Sequence, residues 1–148
     1  MDDTDKAILN IIQSDFPLAP RPFALIAEQL GLSEATVLDR VGTLKKSGII
    51  RRIGGNFVPE KLGYVSTLCA ASVPEDKVDG FAEVVNAYPG VTHNYIRENR
   101  LNVWFTFIAP SMEMIRENLA EISRQTGITE IHNLPATRVF KIRAQFTL

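Results

Sequence analysis

Apolar residues recur at two different periods along this chain, and the change of period divides it. Through the first fifty residues the spacing is helical. Ile8, Ile11 and Ile12 form one stripe, in a helix expected to begin near Asp3 or Thr4, whose side chains can accept from free N–H groups. Phe16-Pro17-Leu18 and Pro20 end it. Arg21 to Leu30 reads as a second helix with Leu25, Ile26 and Leu30 turned inward, closed by Gly31. Ser33 caps a third, whose stripe is Val37, Val41 and Leu44 and which stops at Gly48. Three short helices with a tight turn between the second and third make a helix-turn-helix. Ile49 to Ile53 and Asn56 to Val58, on either side of Gly54-Gly55, predict two short strands forming a wing.

Beyond this point strands and helices alternate. Tyr64 to Val73 is strand-like, and Asp76 to Tyr88 is helical, with Val78, Phe81, Val84 and Val85 on one side. Val91 to Arg97 and Asn102 to Ile108 read as strands. Met112 to Thr126 is a helix carrying Ile115, Leu119 and Ile122, and one or two strands follow Ile128. The order β-α-β-β-α-β is ferredoxin-like. The expected class is therefore α+β: a winged helix-turn-helix over 1–58, a linker over 59–63, and a ferredoxin-like ligand-binding and dimerisation domain over 64–148.

Alternation within the paired central strands sorts their side chains by face. With Glu98 to Leu101 as the turn, Arg97 falls opposite Asn102, Tyr95 opposite Trp104 and His93 opposite Thr106. These six share one face. Ile96, Val103, Phe105 and Phe107 take the other, suited to burial, with Asn94 a polar exception there. Arginine grips carboxylates through a planar fork. Imidazole and phenol groups transfer protons near neutral pH when their surroundings tune them, and indole offers a flat apolar surface. Together they suit a large, flat polyanion. Each residue alone also has a plainer reading: an interfacial histidine, a cross-strand aromatic pair, a solvated charge.

Composition adjusts this picture. The 148 residues are 45% hydrophobic and 22% charged with a formal charge of -1, an ordinary globular balance. Residues 1 to 60 hold seven basic and eight acidic side chains, and Glu34 and Asp39 fall on the face of the third helix that would meet a major groove. Phosphate contacts supply much of the affinity for DNA, so DNA binding is expected to be weak or absent. The lone cysteine, Cys69, excludes a disulfide framework and reads as a buried hydrophobe. The acidic start and the lack of a long apolar run predict no signal peptide and no membrane span, hence a cytoplasmic protein.

The domain order resembles the Lrp/AsnC regulators over nearly the whole chain. The likeness is greater to one branch, the sirohaem decarboxylases. It is carried by Gly48-Ile49-Ile50-Arg51-Arg52-Ile53-Gly54-Gly55, by Leu62 to Ala70, by Pro89-Gly90-Val91-Thr92-His93-Asn94-Tyr95-Ile96-Arg97-Glu98, and by Asn102-Val103-Trp104-Phe105-Thr106. The last two are the most specific. The resemblance implies loss of carbon dioxide from the sirohaem acetates at C12 and C18, giving didecarboxysirohaem in an alternative haem pathway. It implies catalytic roles for His93 and Tyr95, and substrate binding by Arg51, Arg52, Arg97, Asn102 and Trp104. No metal ligand and no added cofactor are implied, the iron tetrapyrrole being substrate. Family members often carry His two residues after the motif arginine, where this chain has Asn99. That departure implies an A-type subunit completed by a histidine-bearing sister, as a heterodimer or larger assembly. The competing readings are a ligand-responsive transcription regulator and a non-catalytic haem-binding partner.

Overall fold

The computed structural model describes residues 1–55, 57–141, 146 and 148. They fall into two units. The first is Met1–Gly55 with Lys141, Phe146 and Leu148, and the second begins after the glycine pair and runs to Phe140.

Helix α1 spans Asp3–Ser14 and starts where expected, but its cap is Asp2 rather than Asp3 or Thr4, because Asp2 and Asp5 each accept the other's backbone N–H, at 2.9 and 3.0 Å. Helix α2 (Pro22–Leu30) ends at Gly31, whose φ of 65° requires a residue without Cβ strain. Leu25 is not inward as expected but 40% exposed. The buried stripe runs through Ile26, with Phe23 and Leu30 packed against it, at helical spacing that leaves position 25 off the axis of contact. Helix α3 (Glu34–Lys46) is capped by Ser33 and buries Val37, Val41 and Leu44, as the pattern predicts.

The expected wing is corrected. No strand forms in 49–53 or 57–58 among the described residues, and Asn56 lies outside them. Only Ile50 is buried, its N–H donating to the Leu44 carbonyl. Ile49, Ile53, Phe57 and Val58 are exposed. The segment folds back on α3 rather than pairing with itself. Pro59–Leu62, expected to be linker, forms a 3-10 turn.

In the second unit, strands β1 (Val65–Ala71), β2 (Val91–Ile96), β3 (Val103–Ala109) and β4 (Ile131–Leu134) make an antiparallel sheet in the order β2-β3-β1-β4. Helices α4 (Val78–Asn86) and α5 (Met112–Thr126) pack on the same core as one face of it, which is the ferredoxin-like arrangement. Phe105, Phe107, Val103 and Cys69 from the sheet meet Phe81, Val85, Ile115 and Ile122 from the helices. Burial pushes the Cys69 thiol up to about 12, so it stays protonated and unreactive. Asn94, the polar exception, donates to Asn86 at the end of α4. Ile96, expected in the core, is exposed because it closes an edge strand beyond the reach of the helices.

Two features fix β2 against β3. A Cβ at Gly90 would lie 2.1 Å from the Ile108 carbonyl oxygen, so only glycine allows this approach. The register then shifts: Val91 pairs with Phe107 and packs on the core, while His93 pairs with Thr106. Thr92 is the extra residue of a β-bulge between them.

Candidate functional site

The helix-free face of the sheet carries the predicted hairpin cluster. His93 pairs with Thr106 and Tyr95 with Trp104, and the Arg97 N–H donates to the Asn102 carbonyl at 2.7 Å, which is the predicted register. The His93 and Tyr95 rings stack with centroids 6.0 Å apart and planes 26° from parallel. The bulge residue assists: Thr92 Oγ1 lies 3.0 Å from His93 Nδ1 and fixes the ring through it. Nε2 is then left to face outward, as donor or acceptor according to tautomer.

Arg97 Cζ sits 5.9 Å from the centroid of the Trp104 ring, a cation–π distance. The indole N–H is used internally, donating to the Leu101 carbonyl at 2.6 Å, so Trp104 presents ring rather than donor. Asn102 is differently occupied from the substrate-binding expectation. Its amide accepts from the Val73 N–H at 2.9 Å and donates to the Val73 carbonyl at 2.8 Å, tying the start of β3 to the end of β1. Asn99 also works within the fold, accepting the Leu101 N–H across the hairpin turn.

One candidate was missed. Across the sheet Trp104 pairs with Ala70 and Ala70 with His132, so His132 shares the face with the cluster. Ala70 is wholly buried there, flanked by these larger neighbours. His132 lies 3.3 Å from Glu130, which also pairs with Arg100, and the hydrogen bonds from these two partners hold the Glu130 carboxyl below its usual range, Arg100 foremost. Alternation in Ile131-His132-Asn133-Leu134 was the available signal.

Arg51 and Arg52 belong to the first unit. They line a cavity of about 740 Å³ with Ile12, Phe16, Ile49 and Ile53. Among the described residues, neither they nor Arg97 forms an ion pair. The arginines on and beside α3, the recognition helix of the helix-turn-helix, differ. Arg40 reaches Asp2 at 2.8 Å and Asp5 at 2.9 Å, and Arg21 pairs with Glu34. These bonds hold Asp2 and Asp5 below the usual carboxylate range, through Arg40 first for Asp2 and through the capping N–H first for Asp5. Among the described residues no group of three or more His, Cys, Asp or Glu is placed to hold a metal ion.

This architecture defines the class first: residues 61–141 match the family model for the AsnC-like ligand binding domain. The fold agrees with that of Escherichia coli AsnC, at TM-score 0.79 and 21% identity over 98% of this chain and 97% of that one. Residues 5–51 match the siroheme decarboxylase NirDL-like HTH domain. The chain is 56% identical to the siroheme decarboxylase alpha subunit of Desulfovibrio desulfuricans, across its whole length and 85% of the relative. It is 32% identical to the siroheme decarboxylase NirDL, solved in co-complex with an iron-uroporphyrin III analogue, at TM-score 0.70, covering 98% of this chain and 48% of that one. The chain belongs to the siroheme decarboxylase family.

Proposed function

We propose that this chain is the A-type subunit of a sirohaem decarboxylase that converts the C12 and C18 acetates to methyl groups. The observation that carries the reading is the hairpin face, where an unpaired guanidinium backed by indole stands beside a stacked imidazole and phenol. In each step the bond between methylene and carboxylate carbon breaks and carbon dioxide leaves. The bond's electron pair is drawn towards the protonated ring, and a proton ends on the methylene carbon. The step is redox-neutral, so it calls on no cofactor beyond the iron tetrapyrrole that is its substrate.

Arg97, Arg51 and Arg52 are assigned to carboxylates that remain, through charge-assisted forks. Trp104 backs Arg97 and offers an apolar surface. His93 or Tyr95 delivers the proton. Asn102, with both amide atoms engaged by Val73, contributes by positioning the hairpin. The sister subunit is proposed to cover the open sheet face, where Leu68 and Leu134 lie side by side and exposed. Asn99, committed to the turn, leaves the family histidine to that sister. The regulator reading gives way to the enzyme, and DNA binding is proposed to be weak, since Arg40 and Arg21 are spent on carboxylates of the same unit. No helix of the described residues is long and apolar enough to cross a membrane.

The deciding experiment incubates the chain with anaerobic sirohaem, with and without its sister, and reads products by mass. Stepwise loss of two carbon dioxide units by the assembled pair is expected. Unchanged sirohaem in the presence of both subunits would sink the proposal.

A further inference from the structure

The cavity beside Arg51 and Arg52 has a wall that comes from far along the chain. Gln13, at the end of α1, holds the backbone of Phe146 from both sides. Its Oε1 accepts the Phe146 N–H at 3.0 Å, and its Nε2 donates to the Phe146 carbonyl at 2.7 Å. Asn10 Oδ1, 2.9 Å from the same nitrogen, aims the amide. A side-chain amide thus pairs with this backbone as a neighbouring strand would.

What is pinned is unusual. The backbone is held, yet the Phe146 side chain is 69% exposed and that of Leu148 42%. Both line the cavity, as do the exposed Ile49 and Ile53. With Leu18, five large apolar side chains are left facing water around one concavity, and two arginines that form no ion pair among the described residues share its lining, which describes a site for an amphipathic anion. Arginine forks fit carboxylates, and the apolar lining fits a broad unsaturated ring.

We infer that Phe146 and Leu148, positioned by Gln13, form the apolar wall of a ligand cavity in the N-terminal unit, which takes the ring of a polycarboxylated tetrapyrrole while Arg51 and Arg52 take its carboxylates. The inference rests on the proposed role of the arginine pair. Gln13 acts as a positioning residue: it prepays the ordering of the wall, so its loss slows nothing chemical but loosens the bound ligand.

The test titrates the full chain, alone and assembled with its sister, with iron-uroporphyrin III followed by absorbance. Melting temperature is measured alongside. Gln13→Ala is expected to weaken binding about three- to tenfold, the scale of one or two exposed hydrogen bonds. Phe146→Ala removes a largely solvated side chain and Leu148→Ala a half-exposed one at the chain's end, so both leave the fold in place. They are expected to weaken binding by a similar factor, with the melting temperature retained. Loss of affinity in Arg51→Ala/Arg52→Ala, with no loss in Gln13→Ala, Phe146→Ala or Leu148→Ala, overturns the wall and leaves the arginine assignment standing. No loss in any of the four overturns both. Weakened capture of the sister with unchanged ligand affinity overturns the inference by giving the cavity a protein occupant.

Discussion

Two regions of the molecule handle arginine in opposite ways. Beside the recognition helix, Arg40 is chelated by Asp2 and Asp5 and Arg21 is paired with Glu34. On the hairpin, Arg97 has an aromatic ring behind it, Arg51 and Arg52 line a largely apolar cavity, and among the described residues none of the three forms an ion pair. A guanidinium already satisfied by its own chain offers little to a phosphate backbone. One resting on indole keeps its N–H groups for a ligand. Helix α3 thus keeps its shape with its arginine spent on carboxylates, while the free guanidinium groups lie after it at 51 and 52 and on the hairpin, a concrete case of function residing in a site rather than in a fold.

The comparison breaks most visibly at His93. In the assembled enzyme His93→Ala is expected to reduce turnover by about 10²–10⁴-fold, the usual yield of a positioned proton donor, while tetrapyrrole affinity changes far less. Retained turnover in single-turnover assays would move the proton to Tyr95 or to the sister. Next in size, Arg97→Ala should cost about 1.5–3 kcal/mol of ligand binding, measured by absorbance titration, as for any charge-assisted contact removed. Arg97→Lys should recover only part of it, because an ammonium supplies charge without the planar fork. Gly90→Ala sharpens the structural side. With Cβ driven against the Ile108 carbonyl, it should destabilise the second unit by about 1–3 kcal/mol, read as a lower melting temperature.

The smallest effects belong to the first unit. Asp2→Asn with Asp5→Asn releases Arg40, and a mobility-shift assay should still show no selective duplex binding. Appearance of tight, salt-sensitive binding would show that these carboxylates alone had silenced the helix. The same pair gives a pH signature. Both carboxyls titrate lower in the folded chain than in the unfolded one, so their contribution is present above about pH 4 and is lost as pH falls below it. The doubly substituted chain should therefore lose less stability over that acid range.

Local periodicity made much of this legible. The hairpin register followed from alternation plus turn length, because burial of Val103, Phe105 and Phe107 leaves one phase available. The stripe of α3 and the span of α5 followed from helical spacing for the same reason. What escaped depended on neighbours the sequence does not reveal. The wing strands required a pairing that Ile50 forgoes by bonding to α3. Ile96 reads as core but ends an edge strand. Asn102 reads as a ligand group until Val73 is seen to take both its atoms. The clamp between Gln13 and Phe146 joins positions 133 residues apart, beyond any local pattern.

The bulge at Thr92 sets the phase of everything that follows it in β2. Before it, Val91 is committed to the core; after it, His93 and Tyr95 are committed to the open face. Substitution at Thr92 would disturb one hydroxyl contact, and removal of the residue would leave the regular ladder of Val91 with Phe107 and His93 with Thr106, but straightening the bulge, with Thr92 drawn into the ladder opposite Thr106, would shift the frame in which everything downstream is displayed. His93 and Tyr95 would then be turned towards the helices and Asn94 outward. Such a chain would retain every side chain of the site and yet assemble none of it, so that the display along β2 depends on where the strand kinks as much as on its letters.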